Sequence, residues 1–229
     1  MTNTKKFDWI LLVILMSYFM ILLDNSIIFT GTVKIAQDLS LNQQTLSWVS
    51  SAYSLTFGGF LLLGGRAGDL FGRRRVFQIG LVIFGLGSLI VGLSMNAPMI
   101  IAARAFQGIG AAILAPTTLA ILMDTYEGAA RTRAIAYYGA MAGIGASVSL
   151  VIGGVFASLL TWRVGFFMNV PISIWMYYLA VRHLQLDNGH SGKLDWVGTV
   201  TSLIGMSSLV YSIVGSWAKL PALLIAVIF

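Results

Sequence analysis

The sequence predicts an all-α, polytopic transmembrane helix bundle, on three observations. Hydrophobic residues fill 58% of the 229 positions and charged residues only 10%. The mean hydropathy is +0.88. Apolar stretches of about 20 residues, the helical length that crosses a hydrocarbon core of about 30 Å, recur along the chain. A soluble domain of this size carries far more surface charge, so the solvent here is mostly lipid. The absence of cysteine excludes disulfides, thiolate metal sites and cysteine nucleophiles.

Seven spans are expected, over 9–30, 45–64, 76–95, 98–123, 134–160, 164–181 and 196–214, with an eighth starting near Leu220. The first apolar run is too long for a cleavable leader, and no small-residue cleavage site follows it before Asp24-Asn25, so it reads as a retained span. The loop from Arg182 to Asp195, with Asp187, Asn188, Gly189, His190, Ser191 and Gly192, has turn composition. It divides the chain into a six-span bundle over 1–185 and a remainder over 186–229. That remainder holds the linker, span 7 and a truncated start of span 8. The chain stops inside an apolar run, where a helix of about ten residues reaches only about 15 Å. It therefore reads as a fragment or truncated product. His183 and His190 share the polar loop and read as solvated, so no metal site is expected.

The net charge of +6 does not point to nucleic acid, because the basic residues sit in short loops between spans. Lys5, Lys6, Arg66, Arg73, Arg74, Arg75, Arg131, Arg133, Arg182 and Lys193 fall on the side of the N-terminus, and only Lys34, Arg163 and Lys219 on the other. This bias predicts a cytoplasmic N-terminus.

Two ionisable side chains lie within spans, Asp24 and Arg104. Either is costly in lipid, so each should face the bundle interior or a water-filled cavity. Asp24 lies about 22 Å from one face and Arg104 about 9 Å from the other at 1.5 Å per residue, which puts both at similar depth. They could meet. A carboxylate that alternates between a proton and an arginine is a coupling device, since desolvation favours its neutral form and a guanidinium its charged form. A static pair that only fixes helix packing is the other reading. Between spans 2 and 3 runs Gly64-Gly65-Arg66-Ala67-Gly68-Asp69-Leu70-Phe71-Gly72-Arg73-Arg74-Arg75. Its glycines allow a tight turn, and Asp69 can pair with Arg73 four residues on. Ordinary basic anchoring would explain the arginines alone.

That segment resembles the signature loop of the major facilitator superfamily, matching at Gly65, Asp69, Gly72, Arg73 and Arg74, with Leu70 where a basic residue is usual. The resemblance implies a conformational latch between two six-span bundles. Arg104-Ala105-Phe106-Gln107-Gly108-Ile109-Gly110 is similar to the family's span 4 motif linked to proton coupling. Leu23-Asp24-Asn25-Ser26-Ile27-Ile28 is similar to the span 1 motif of its fourteen-span drug:proton antiporters, as are Trp162 to Pro171 and Leu194 to Gly198 to that family's starts of spans 6 and 7. In span 5, Gly139, Gly143, Gly145, Gly153 and Gly154 make a small-residue face. Ser149-Leu150 stands where the antiporters carry Gly-Pro.

The resemblance implies the N-terminal six-helix bundle of a secondary transporter in the plasma membrane of a bacterium. It would export drugs or other lipophilic compounds by alternating access, driven by the proton gradient without a bound cofactor. Its partners would be a small-molecule substrate, protons, membrane lipid, and a missing C-terminal bundle or second chain. Asn25, Tyr53, Gln107, Pro116 and Tyr138 are candidates for the substrate cavity, each also explicable as packing. Export of an amino acid, lipid or siderophore stays open, as does a truncated chain that does not transport. An enzyme is not expected: Asp69, Asp124, Glu127, Asp187 and Asp195 are loop carboxylates without a nucleophile or metal-ligand cluster.

Overall fold

The computed structural model describes residues 8–187, 189, 195–214, 222 and 225–226. Among these the regular elements are helical throughout, and six helices are long and apolar enough to cross a membrane. Each terminus has a local cause. Asp8 opens α1 (Trp9–Asp38) by accepting the amide of Leu11 at 3.1 Å. The helix closes with Ser40 in the left-handed region (φ 51°) and the Leu41 amide returning to the Ala36 carbonyl at 2.8 Å. Asn42 then caps α2 (Gln43–Phe71) through the Thr45 amide at 2.8 Å. Gly72, at φ 90°, makes the one-residue break to α3 (Arg73–Gly92), and Asn96 caps α4 (Ala97–Thr125). Two further spans, α5 (Gly128–Ala140) with α6 (Ala146–Leu159) and then α7 (Trp162–His183), complete the set, followed by α8 (Trp196–Val214).

The fifth span is not one regular helix. It runs as α5 (Gly128–Ala140), one turn of π-helix (Met141–Gly145) and α6 (Ala146–Leu159). The irregularity falls at Gly143 and Gly145, not at Ser149-Leu150. Small side chains brace the i→i−4 ladder poorly, so the register widens there. The helices also outrun the expected spans: α1 continues past Thr30 and α2 past Gly64, since hydropathy marks the lipid-embedded stretch while the backbone ladder continues into polar ends. A helix, α8, lies over the residues expected for the seventh span and packs on α2, its apolar part Val197–Ser212 being shorter than the six membrane-length helices. Most of the expected eighth, like His190 and Lys193 of the linker, lies outside the described residues.

In the middle of the bundle α4 packs between α2 and α3, while α1 packs on α6 and α7, and α3 on α7. Small residues allow these approaches. A methyl group on Gly110 would lie 2.9 Å from the Phe84 Cα, and one on Gly87 would lie 2.8 Å from the Gln107 Cα. Pro116 removes the amide that would bond the Ala112 carbonyl, and that oxygen lies against Gly64 of α2. Two apolar clusters form the core. One gathers Val13, Phe77, Phe84, Leu114 and Met176, and the other Leu23, Ile27, Val49, Trp162 and Phe166. Large apolar side chains such as Leu86 on α3 and Val151 on α6 point outward, as a lipid-facing surface requires.

Candidate functional site

At the seam between the two apolar clusters sits a closed polar network. Asp24 and Arg104, read from the sequence as able to meet, form an ion pair with 2.6 Å from Arg104 Nη1 to Asp24 Oδ2, both side chains at most 1% exposed. Three helix crossings bring the other members in. At the α3–α4 approach of Gly87 and Gln107, the Gln107 amide donates to Asp24 Oδ1 at 2.6 Å and to the Ser88 hydroxyl at 2.7 Å. The Gln107 carbonyl in turn accepts from Arg104 Nη1 at 2.7 Å. At the α2–α4 approach, a methyl on Gly108 would lie 3.2 Å from the Tyr53 carbonyl carbon. This seats the Tyr53 ring 4.1 Å from the Arg104 Cζ, and Arg104 Nε reaches the Val49 carbonyl at 3.4 Å. At the α1–α7 approach, Gly165 lies against Ile27, and one turn further along α7 the Asn169 amide reaches Asp24 Oδ1 at 3.3 Å and Ser88 at 3.4 Å.

The arrangement has a chemical logic. An ion pair removed from water is costly unless its remaining hydrogen-bonding groups are also satisfied. Here both carboxylate oxygens accept from short donors and the guanidinium also lies over an aromatic face. Gln107 and Tyr53, candidates for a substrate cavity, are buried in this network rather than lining an open cavity. Asn25 donates to its own helix at the Ile21 carbonyl, Pro116 packs beside Gly65, and Tyr138 stacks on Tyr18 with ring centres 4.5 Å apart. Ser88 and Asn169 were not anticipated. The sequence signal for Asn169 is an amide in the middle of an apolar run, weaker than a formal charge there.

A second cluster lies at the end of the bundle where α1 begins. Asp69 pairs with Arg73 at 3.2 Å, as the spacing predicts. Arg73 also pairs with Asp124 and donates to the Ala120 carbonyl at 3.0 Å, so it ties α3 to the end of α4. Arg74 turns the other way and caps α7 through the Val181 and Leu184 carbonyls, at 2.8 and 3.0 Å. Asp187 returns the favour at α3, accepting the Arg73 amide at 3.2 Å beside Gly72. Three of the loop carboxylates, Asp69, Asp124 and Asp187, thus serve this cluster. A fourth, Asp195, caps α8 through the Gly198 amide at 2.7 Å.

The glycine face of span 5 divides. Gly153 packs against α1, where a methyl would lie 3.2 Å from the Ser26 carbonyl carbon, and Ser149 hydrogen-bonds Ser26 at 2.7 Å. Gly145 is covered by Met141 and Leu22. A methyl on Gly143 or Gly154 would meet no described atom, so the helix-packing role expected of these two is not seen within the described residues. The reason is geometric: the π turn and the helical period rotate them away from α1. No group of three or more His, Cys, Asp or Glu side chains that could hold a metal is found among the described residues.

Comparison with known proteins places this geometry. The family model described as Major Facilitator Superfamily matches residues 14–229. The puromycin resistance protein pur8 of Streptomyces alboniger is 38% identical over 207 residues, which is 89% of this chain and 41% of that one. The cephamycin export protein CmcT of Amycolatopsis lactamdurans is 40% identical over 84% of this chain and 40% of its own length. The chain therefore spans about two fifths of these curated relatives. In fold it is similar to a peptide transporter POT mutant solved in complex with sulfate, with a TM-score of 0.69 and 14% identity over 93% of this chain and 48% of that one.

Proposed function

This chain belongs to the major facilitator superfamily of membrane transporters, and from that premise we propose that it supplies the proton-coupling bundle of an exporter for lipophilic compounds. One observation carries the reading: a single carboxylate, Asp24, is sealed at mid-bundle against a single guanidinium, Arg104. When Asp24 takes a proton the ion pair loses its attraction, and Arg104 is free to exchange partners as the bundle changes state. Release of the proton restores the pair. The relatives named for puromycin resistance and cephamycin export support outward transport of bulky organic compounds.

The bundle is proposed to comprise residues 1–185, with the N-terminus in the cytoplasm and the Asp69–Arg73–Asp124 cluster at the cytoplasmic end. The concentration of arginine at that end supports the orientation. In this reading the cluster is one side of a latch whose other side belongs to a second bundle, which also completes the substrate cavity. Asn25 and Tyr138 would face that cavity, and no cofactor other than the proton gradient is needed. The test is transport by the complete native protein in proteoliposomes, with puromycin and ethidium as probes. An imposed pH gradient should drive their movement and a protonophore should stop it. Movement that ignores both the gradient and the protonophore contradicts the proposal.

A further inference from the structure

Asn169 is a buried amide with an unpaired carbonyl. Its side chain is fully buried and its Oδ1 has no hydrogen-bond partner. Its Nδ2 makes only long contacts, 3.3 Å to Asp24 Oδ1 and 3.4 Å to Ser88. Arg104 and Gln107 already supply the carboxylate with donors at 2.6 Å. A weak third donor adds little to the charged form, and an orphaned acceptor is costly in a dry interior.

We propose that Asn169 is a positioning residue for the protonated state, presenting its carbonyl to the Asp24 hydroxyl when the carboxyl is neutral. The proposal rests on Asp24 being the proton carrier. A neutral carboxyl is a donor as well as an acceptor, and the donor needs a buried partner. Gln107 Oε1 already accepts from Arg104, and Ser88 Oγ accepts from both Gln107 and Asn169. Rotating the Asn169 carboxamide by half a turn exchanges Nδ2 and Oδ1, which puts an acceptor about 3.3 Å from Asp24 Oδ1. The proton then sits on Asp24 Oδ1 and is shared with Asn169 Oδ1. No other bond forms or breaks, and Arg104 keeps its own protons. The same side chain thus donates to the carboxylate and accepts from the acid.

The other surroundings leave this pairing undisturbed. Among the described residues, the charged or titratable groups facing Asp24 are Arg104 from α4 and Tyr53 from α2. The neighbours from α3 and α7 are the neutral Ser88 and Asn169, and α6 approaches α1 through Ser149.

The experiment is an infrared pH titration of the complete native protein, purified in lipid nanodiscs, with no substrate present. The carboxyl stretch that disappears in Asp24→Asn belongs to Asp24, and its midpoint pH is the readout. Asn169→Leu keeps the branching of the side chain but offers no acceptor, and its midpoint should lie about one unit below that of the unaltered protein, the scale of one lost neutral hydrogen bond. Asn169→Gln, which keeps both halves of the amide, should restore the midpoint. Asn169→Ala should move it in the same direction as Asn169→Leu and serves where the leucine variant does not fold. A midpoint that stays fixed or rises in the leucine or alanine variant overturns the role of Asn169. If no titrating band is lost in Asp24→Asn, the proton-carrier reading itself fails, and this inference falls with it.

Discussion

Arg104 is the residue on which the interior depends. It donates to Asp24, Gln107 and the Val49 carbonyl and lies over Tyr53, so three helices, α1, α2 and α4, meet at one guanidinium. Removing it leaves a carboxylate buried beside two amides, a loss on the order of 3–5 kcal/mol unless a proton is taken up. Arg104→Ala should therefore lower the melting temperature of the purified protein sharply, while Asp24→Asn/Arg104→Ala together should cost less than Arg104→Ala alone. Additive losses in thermal unfolding would mean that the two side chains do not act as a pair. Asp24 and Arg104 were legible because charge inside an apolar run is conspicuous and because their depths could be counted. Ser88 and Asn169 were not, since neutral polar residues are common in spans and only the crossings at Gly87 and Gly165 bring them to the carboxylate.

At the scale of elements, hydropathy located every described span but could not report hydrogen-bond register. The π turn at Met141–Gly145 is a matter of register, and it decides which glycines of span 5 face α1. Gly153 does, and Gly154 does not. Gly153→Val should push α6 off α1, break the Ser26–Ser149 hydrogen bond and reduce the folded fraction recovered in detergent. Gly154→Val should leave the six-span unit as stable as before. Equal behaviour of the two variants in size-exclusion and thermal assays would contradict the packing described. The caps at Asp8, Asn42 and Asn96 were not read from the sequence, and the lengthening of α1 to Asp38 depends on contacts at its far end, where Trp162 donates to Asp38 at 3.1 Å and Arg163 pairs with it.

At the scale of the whole molecule, two clusters share the same helices, the sealed pair between α1 and α4 and the Asp69–Arg73–Asp124 cluster linking α2, α3 and α4. The glycine-rich loop was legible as a motif, whereas the reach of Arg73 to Asp124 and of Arg74 to α7 depends on how α3 meets α4 and α7. Its ion pairs are partly exposed and worth no more than about 1 kcal/mol each. Asp69→Asn should hence leave thermal stability almost unchanged while shifting the populations of inward and outward states, read by distance measurements between labels on this bundle and on the proposed second bundle. A large loss of stability with unchanged populations would make the cluster a brace instead of a latch. The most direct test of the central claim uses Asp24→Asn in proteoliposomes, comparing probe movement driven by a pH gradient with exchange of probe at equal pH. Driven movement should be lost while exchange persists, because the substituted pair can no longer carry a proton but the bundle can still change state. Driven movement at the unaltered rate would contradict the claim.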